Sequence, residues 1–157
     1  MGPVVSQEQL ERVTGYMKAG QKAGAKFKVG GGRVEGGGGY FVQPTILTDT
    51  TTDMSVRREE IFGPVLCAMS FSDEDLDKIA AEANDTACGL AAQIFTRDLS
   101  TTHKMAKRIK ASSIRFNGGS LDTNVPFDDY KQSDWGRENG REGVEVFTEI
   151  KSVTVAL

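Results

Sequence analysis

Short apolar runs alternate with amphipathic segments in the middle of this chain, and that alternation constrains its fold more than any other feature. Three runs have the length of buried strands: residues 65–71, 89–96 and 113–117. The segments between them carry apolar residues at helical spacing; Ser72 begins the first segment, and Asp98 is placed to cap the second. Strand and helix in alternation predict an α/β fold, in which a parallel sheet is joined by right-handed crossovers.

The N-terminal segment has the signature of a capped amphipathic helix. Ser6 and Gln9 have the spacing of a capping box, and apolar residues follow at helical spacing as far as Gly24. Glycine is a common residue just beyond a helix C-terminus. The first helix is therefore predicted between Ser6 and Gly24.

Seven glycines lie between Gly30 and Gly39, a density that disfavours regular secondary structure and predicts a hairpin loop. Strands are expected on either side of it, near residues 25–29 and 40–47. A long irregular stretch follows residue 117, and residues 147–155 then alternate imperfectly between apolar and polar side chains. That alternation predicts a terminal strand.

Composition excludes several classes of function. Lysine and arginine number 19 against 22 acidic residues, a net charge of -3, and no basic cluster predicts nucleic-acid binding. Neither a run of eighteen apolar residues nor a signal peptide is present, which predicts a soluble cytoplasmic protein without a membrane partner. Cys67 and Cys88 are too few for a disulfide framework, and no spacing of residues predicts a metal site.

A carboxylate and an aromatic ring stand two residues apart in Glu60-Ile61-Phe62, just before the rigid corner Gly63-Pro64. A carboxylate offers two acceptor oxygens to a vicinal diol, and a ring can pack beside a flat heterocycle. The alternative is structural: Glu60 pairs with a neighbouring arginine, Arg57 or Arg58, and Phe62 belongs to the core.

This motif has ordered neighbours, and together they resemble the C-terminal part of an NAD(P)-dependent aldehyde dehydrogenase. The supporting motifs are Gly39-Tyr40-Phe41-Val42-Gln43-Pro44-Thr45, Asn84-Asp85-Thr86, Gly89-Leu90-Ala91-Ala92, and Pro126-Phe127 to Gly136-Arg137-Glu138. The resemblance covers essentially the whole chain. It implies that residues 1–143 form part of a three-layer α/β/α-like catalytic domain and that residues 144–157 form a C-terminal oligomerisation strand.

The resemblance also implies roles for three residues. Glu60 corresponds to a glutamate that accepts hydrogen bonds from the nicotinamide ribose, and Phe62 to a phenylalanine that packs beside the nicotinamide ring. Phe127 corresponds to a ring that lines the aldehyde channel, although an aromatic residue before a loop is more often a packing residue. The cofactor of the intact family enzyme is NAD or NADP, and this chain alone is expected to bind neither.

Three positions depart from the family pattern. Asp128, Asp129 and Asp134 stand where the family usually has glycine. If those glycines require positive φ, each aspartate costs about 1 kcal/mol or more through strain at Cβ. Three added negative charges also disfavour a channel mouth that is built for a neutral substrate.

No catalytic residue is assigned in this chain. The family's nucleophilic cysteine, general-base glutamate and oxyanion-stabilising asparagine are expected in sequence before Met1, as is its cofactor domain. Cys67 lies in a predicted buried strand and Cys88 at a helix end, so neither has the environment of a reactive thiolate. An independent enzyme that uses either thiol has no supporting constellation.

Two functions remain open. The chain is the C-terminal part of an aldehyde dehydrogenase, inactive alone, which pairs with an upstream half that supplies the nucleophile. Alternatively, it is a non-catalytic remnant or association module whose sheet and terminal strand pair with other chains. The aspartates at glycine positions favour the second. The expected partner is either another copy of the chain, through self-association, or an upstream aldehyde dehydrogenase half.

Overall fold

The computed structural model of the chain describes residues 1–36, 38–71, 75–120 and 122–157. Its contacts divide into two units, residues 1–73 and residues 74–157. Ser72, the predicted start of the second helix, lies outside the described residues. Within the described ranges, no helix has both the length and the apolar character that crossing a membrane requires.

The first helix, α1, spans Gln7–Lys22 as predicted. The Ser6 hydroxyl accepts a hydrogen bond from the Gln9 backbone amide at 3.1 Å, and Gly24 follows the helix with φ of +110°. Only this half of the capping box forms. The Gln9 side chain, which would complete the box, turns instead to the loop at residues 61–62.

The sheet of the first unit has three strands. β1 (Lys26–Val29) pairs antiparallel with β2 (Thr45–Thr48), and β2 pairs parallel with β3 (Val65–Cys67). A bridge between Arg33 and Val42 extends the β1–β2 hairpin, so the hairpin predicted from the glycine run is confirmed. A short helix, α2 (Ser55–Arg58), precedes β3.

The core of the first unit lies between α1 and this sheet. Val13, Met17 and Leu47 are its most completely buried large side chains, with at most 1% of their surface exposed. The rest of the buried cluster consists of Leu10, Ala25, Val42, Met54, Val56 and Ile61. The apolar face that the sequence predicts for α1 is the face that packs here.

The second unit begins with two helix–strand pairs. α3 (Leu76–Asn84) is followed by β4 (Ala91–Ile94), and α4 (Leu99–Arg108) by β5 (Ser113–Phe116). β4 and β5 pair in parallel, and the Asp98 carboxylate caps α4 as predicted. The α/β class is confirmed. The two parallel strand pairs among the described residues, β2–β3 and β4–β5, lie in separate small sheets.

The C-terminal region differs from the prediction. β6 (Phe127–Asp128) pairs antiparallel with β7 (Arg137–Glu138), and α5 (Gly140–Glu145) follows. Residues 148–157 form neither helix nor strand, so the predicted terminal strand is not formed within the chain. A strand requires a hydrogen-bonding neighbour, and no described strand of this chain pairs with the segment. The proposed boundary at 143–144 falls inside α5 and stays a prediction.

Candidate functional site

The loop that carries Glu60 and Phe62 is anchored from both sides. Ile61 is buried in the core of the first unit, with 8% of its surface exposed. Gly63 lies so close to α1 that an added Cβ would stand 2.5 Å from Val13 Cγ2. Glycine is therefore required at this position for close packing, and the residues on either side of Ile61 are held at the surface.

Phe62 is displayed to solvent by a strained backbone. Its side chain is 70% exposed and its φ is +55°, in the left-handed region that costs a non-glycine residue ~1–3 kcal/mol. Gln9 Nε2 donates hydrogen bonds to the carbonyl oxygens of Ile61 at 3.1 Å and Phe62 at 2.6 Å. The alternative that placed Phe62 in the core is wrong, because Ile61 occupies the core instead.

The two adjacent glutamates of the loop differ in their environment. The Tyr16 hydroxyl donates a hydrogen bond to Glu59 Oε2 at 2.6 Å, and this bond raises the pKa of Tyr16. Glu60 is exposed, no ion pair joins its carboxylate to another described residue, and its backbone oxygen accepts from Arg12 at 2.8 Å. The carboxylate of Glu60 and the ring of Phe62 are thus presented to solvent by the same loop.

Phe127 lies in β6, half buried, and lines an open cleft of the second unit. The cleft is also lined by residues that include Asp128, Asp129, Asp134, Trp135, Arg137, Glu138, Val146 and Phe147. Trp135 is 94% exposed. An aromatic wall and several carboxylates therefore share one cleft.

None of the three aspartates has a positive φ, so the condition under which they would strain the backbone is not met. Between residues 128 and 134, Lys131 has a positive φ of +60°, and none of the three aspartates does. The Asp128 carboxylate is buried and forms an ion pair with Arg137, its partner across the β6–β7 ladder. The Oδ1 atom of Asp128 accepts no hydrogen bond of ordinary geometry from a described residue. One of the three added charges is therefore compensated.

Lys131 fastens the loop that follows Phe127. Its Nζ donates to the carbonyl oxygens of Asn84 at 2.9 Å and Thr86 at 3.1 Å, at the C-terminal end of α3. The Asn84 side chain in turn donates to the Arg108 carbonyl at 2.8 Å and accepts from the Lys110 amide at 2.7 Å. Sequence analysis missed both residues as positioning groups, since their contacts join segments far apart in the chain.

The two thiols are not placed as nucleophiles. Cys67 Sγ donates a weak hydrogen bond to the Val56 carbonyl at 3.3 Å, and burial raises the pKa of this thiol. Cys88 is half buried, and its backbone forms a bridge with Lys131. His103 is exposed on α4. Within the described ranges, no group of three His, Cys, Asp or Glu side chains is arranged to hold a metal ion.

Comparison with known proteins points to one family. The sequence profile of the Aldehyde dehydrogenase family matches residues 1–153. A betaine aldehyde dehydrogenase of Brucella anthropi is 45% identical over 161 residues, which cover 100% of this chain and 33% of that protein.

Solved structures agree with the sequence match. An aldehyde dehydrogenase of Mycobacterium tuberculosis complexed with NAD+ is 41% identical with a TM-score of 0.93, covering 99% of this chain and 32% of that chain. The NAD+ complex of a Bacillus cereus aldehyde dehydrogenase is 42% identical with a TM-score of 0.91, covering 98% and 31%. The chain therefore spans about one third of the length of the relatives it matches.

Proposed function

The chain belongs to the aldehyde dehydrogenase family, and on that premise we propose that it is the C-terminal part of an enzyme that oxidises an aldehyde to a carboxylic acid with NAD or NADP. Residues 1–143 contribute to the catalytic domain and residues 144–157 to oligomerisation. The partner that completes the enzyme is an upstream half, which supplies the nucleophile and the general base. We place this enzyme in the cytoplasm.

The observation that carries the proposal is the presentation of Glu60 and Phe62. This loop leaves the Glu60 carboxylate without an ion pair to another described residue, and it holds the Phe62 ring 70% exposed at a φ of +55°. The Glu60 carboxylate can accept a hydrogen bond from each of the two hydroxyls of the nicotinamide ribose, and Phe62 can pack beside the ring. These residues would bind and orient the nicotinamide end, and the oxidised cofactor would serve as the hydride acceptor.

Phe127 forms one wall of the aldehyde channel in this proposal. Its half-buried position in β6 and its place in the cleft support that role. Residues that close a channel exclude water and orient the aldehyde, and both effects lower the barrier. The loop fastened by Lys131 keeps this wall in place.

Glu60 is expected to matter for cofactor binding in a complete enzyme. The test is a chimera in which this chain replaces the aligned segment of the Brucella anthropi betaine aldehyde dehydrogenase, assayed with betaine aldehyde and NAD. Glu60→Gln should raise KM for NAD roughly tenfold, because a neutral amide accepts hydrogen bonds about half as strongly as a carboxylate.

Glu59→Gln is the matched control, since Glu59 is the adjacent glutamate and is engaged by Tyr16. It should leave KM for NAD within about twofold, the change expected when no cofactor contact is lost. Equal effects of the two substitutions, or no effect of Glu60→Gln in an active chimera, would place the cofactor contact elsewhere. An inactive chimera with a folded C-terminal segment would contradict the proposed function itself.

A second candidate function, an association module, is favoured by the exposed C-terminal segment. Four apolar side chains there are largely exposed: Phe147 by 90%, Ile150 by 100%, Val153 by 73% and Val155 by 74%. Exposed apolar segments recruit other chains, since burial stabilises an interface by about 25 cal/mol per Å² of apolar surface. We propose that this segment pairs with a second copy or with the upstream half.

The chain is therefore expected to form a dimer or larger assembly in solution, which light scattering measures. Val153→Asp should shift it towards the monomer, because it places a charge in the apolar contact. Thr154→Asp adds the same charge at the intervening polar position and should leave the assembly intact. A monomer at high protein concentration, unchanged on deletion of residues 147–157, would overturn the association reading.

A further inference from the structure

The side chain of Gln9 makes contacts that capping of α1 does not explain. Its amide nitrogen carries two N–H groups. It donates to the carbonyl oxygens of two successive residues, Ile61 and Phe62, at 3.1 and 2.6 Å. These partners are 52 and 53 positions away in the sequence. Gln9 thus ties the exposed loop directly to the first turn of α1.

The tied residue is the strained one. Phe62 has φ of +55°, whereas the next residue, Gly63, which would adopt positive φ without strain, does not. A non-glycine residue in the left-handed region persists where its surroundings determine the conformation. Among the described residues, the side chain that determines the conformation of Phe62 is Gln9, whose amide donates a hydrogen bond to the Phe62 carbonyl.

Arg12 extends the same arrangement by one residue. Its guanidinium donates to the Glu60 carbonyl at 2.8 Å and lies 5.3 Å from the centre of the Tyr16 ring. The carbonyls of residues 60, 61 and 62 therefore all accept hydrogen bonds from one side of α1. The backbone is held at three consecutive points while the side chains of Glu60 and Phe62 remain exposed.

We propose that Gln9 is a positioning residue that holds Phe62 in its left-handed conformation and thereby sets the placement of Glu60 and Phe62 together. The contact of this pair with the nicotinamide end rests on the proposed function. The positioning itself rests on the hydrogen bonds between α1 and the loop. Gln9 touches neither cofactor nor substrate and acts through Phe62.

The experiment measures the backbone chemical shifts of Phe62 by NMR in the 157-residue chain. Gln9→Ala should move the Phe62 Cα shift away from left-handed values, since the two hydrogen bonds that hold this conformation are lost. Gln7→Ala is the matched control, because Gln7 lies on the same helix and its amide bonds only to Glu11 in the described contacts. Both substitutions replace glutamine with a better helix former, so α1 itself is retained.

A rescue variant separates positioning from a general structural effect. Gln9→Lys keeps an N–H donor of similar reach and should restore the Phe62 shifts, whereas Gln9→Glu should not, because it has no donor at neutral pH. Unchanged Phe62 shifts in Gln9→Ala, or equal changes in Gln7→Ala, would overturn the proposal.

The chimera with the Brucella anthropi enzyme distinguishes this proposal from the proposed function. Gln9→Ala should raise KM for NAD roughly tenfold, the factor expected for one lost hydrogen bond of ordinary strength. One outcome is that Gln9→Ala alters the Phe62 shifts but leaves KM for NAD unchanged, and that Glu60→Gln also leaves KM unchanged. This outcome would retain the positioning role of Gln9 and reject the cofactor contact. An altered KM with unchanged Phe62 shifts would reject positioning alone.

Discussion

The purified 157-residue chain is expected to oxidise no aldehyde above background with either NAD or NADP. A positioned nucleophile and general base together contribute about a millionfold to the rate of a comparable covalent mechanism. Neither thiol of this chain has that placement. The Cys67 thiol donates to a backbone carbonyl and its pKa is raised by burial, and Cys88 lies half buried with its backbone bridged to Lys131. The measurement is NADH or NADPH formation at saturating aldehyde.

NAD binding by the chain alone should be equally undetectable by calorimetry at millimolar cofactor. The two proposed contacts at the nicotinamide end, by Glu60 and Phe62, would not offset the entropy of fixing a large flexible dinucleotide. The active chimera, prepared in the same way, is the positive control for both assays. Turnover by the 157-residue chain that is lost in Cys67→Ser or Cys88→Ser would instead show an independent enzyme.

The largest expected effect on stability is that of Leu47→Ala in β2. Leu47 has none of its surface exposed and lies between Phe27 of β1 and Cys67 of β3 in the strand register. Removing its side chain should lower the free energy of unfolding of the first unit by about 2–5 kcal/mol, through lost burial and the cavity left behind. Amide hydrogen exchange in α1 and β2 measures this locally.

Leu66→Ala is the matched control for this substitution. Leu66 lies in the adjacent strand but is 60% exposed, so its loss should cost less than about 1 kcal/mol. Tryptophan fluorescence would not report the effect, since Trp135 belongs to the second unit and is 94% exposed. Equal destabilisation by the two substitutions would mean that the core of the first unit is misplaced.

The elements that the sequence predicted well are those determined by local physics. Ser6 and Asp98 begin α1 and α4 because a capping side chain bonds to amides two or three residues away. The hairpin around the glycine run and the parallel β4–β5 pair follow from turn composition and from the strand–helix–strand order. In each case the deciding contacts are short in sequence or follow a general rule of chain connection.

The terminal strand shows where such reasoning ends. Residues 147–155 alternate between apolar and polar side chains as a strand with one apolar face would, yet the segment forms no strand within the chain. Backbone pairing depends on a neighbour that periodicity does not supply. Whether the three aspartates are strained was decided for a related reason, because the φ of each residue is set by the folded loop and the positive φ falls on Lys131.

The sequence by itself determined the family and the α/β class, because ordered motifs carry that information without coordinates. It also nominated Glu60, Phe62 and Phe127 as a candidate site, and their roles stay a prediction. Only the tertiary structure decided that Phe62 faces solvent, that Ile61 takes its place in the core, and that Gln9 holds the loop. The physical reason is distance along the chain. Hydrogen bonds between residues more than 50 positions apart have no periodic or local signature, and they exist only once α1 and the loop have packed together.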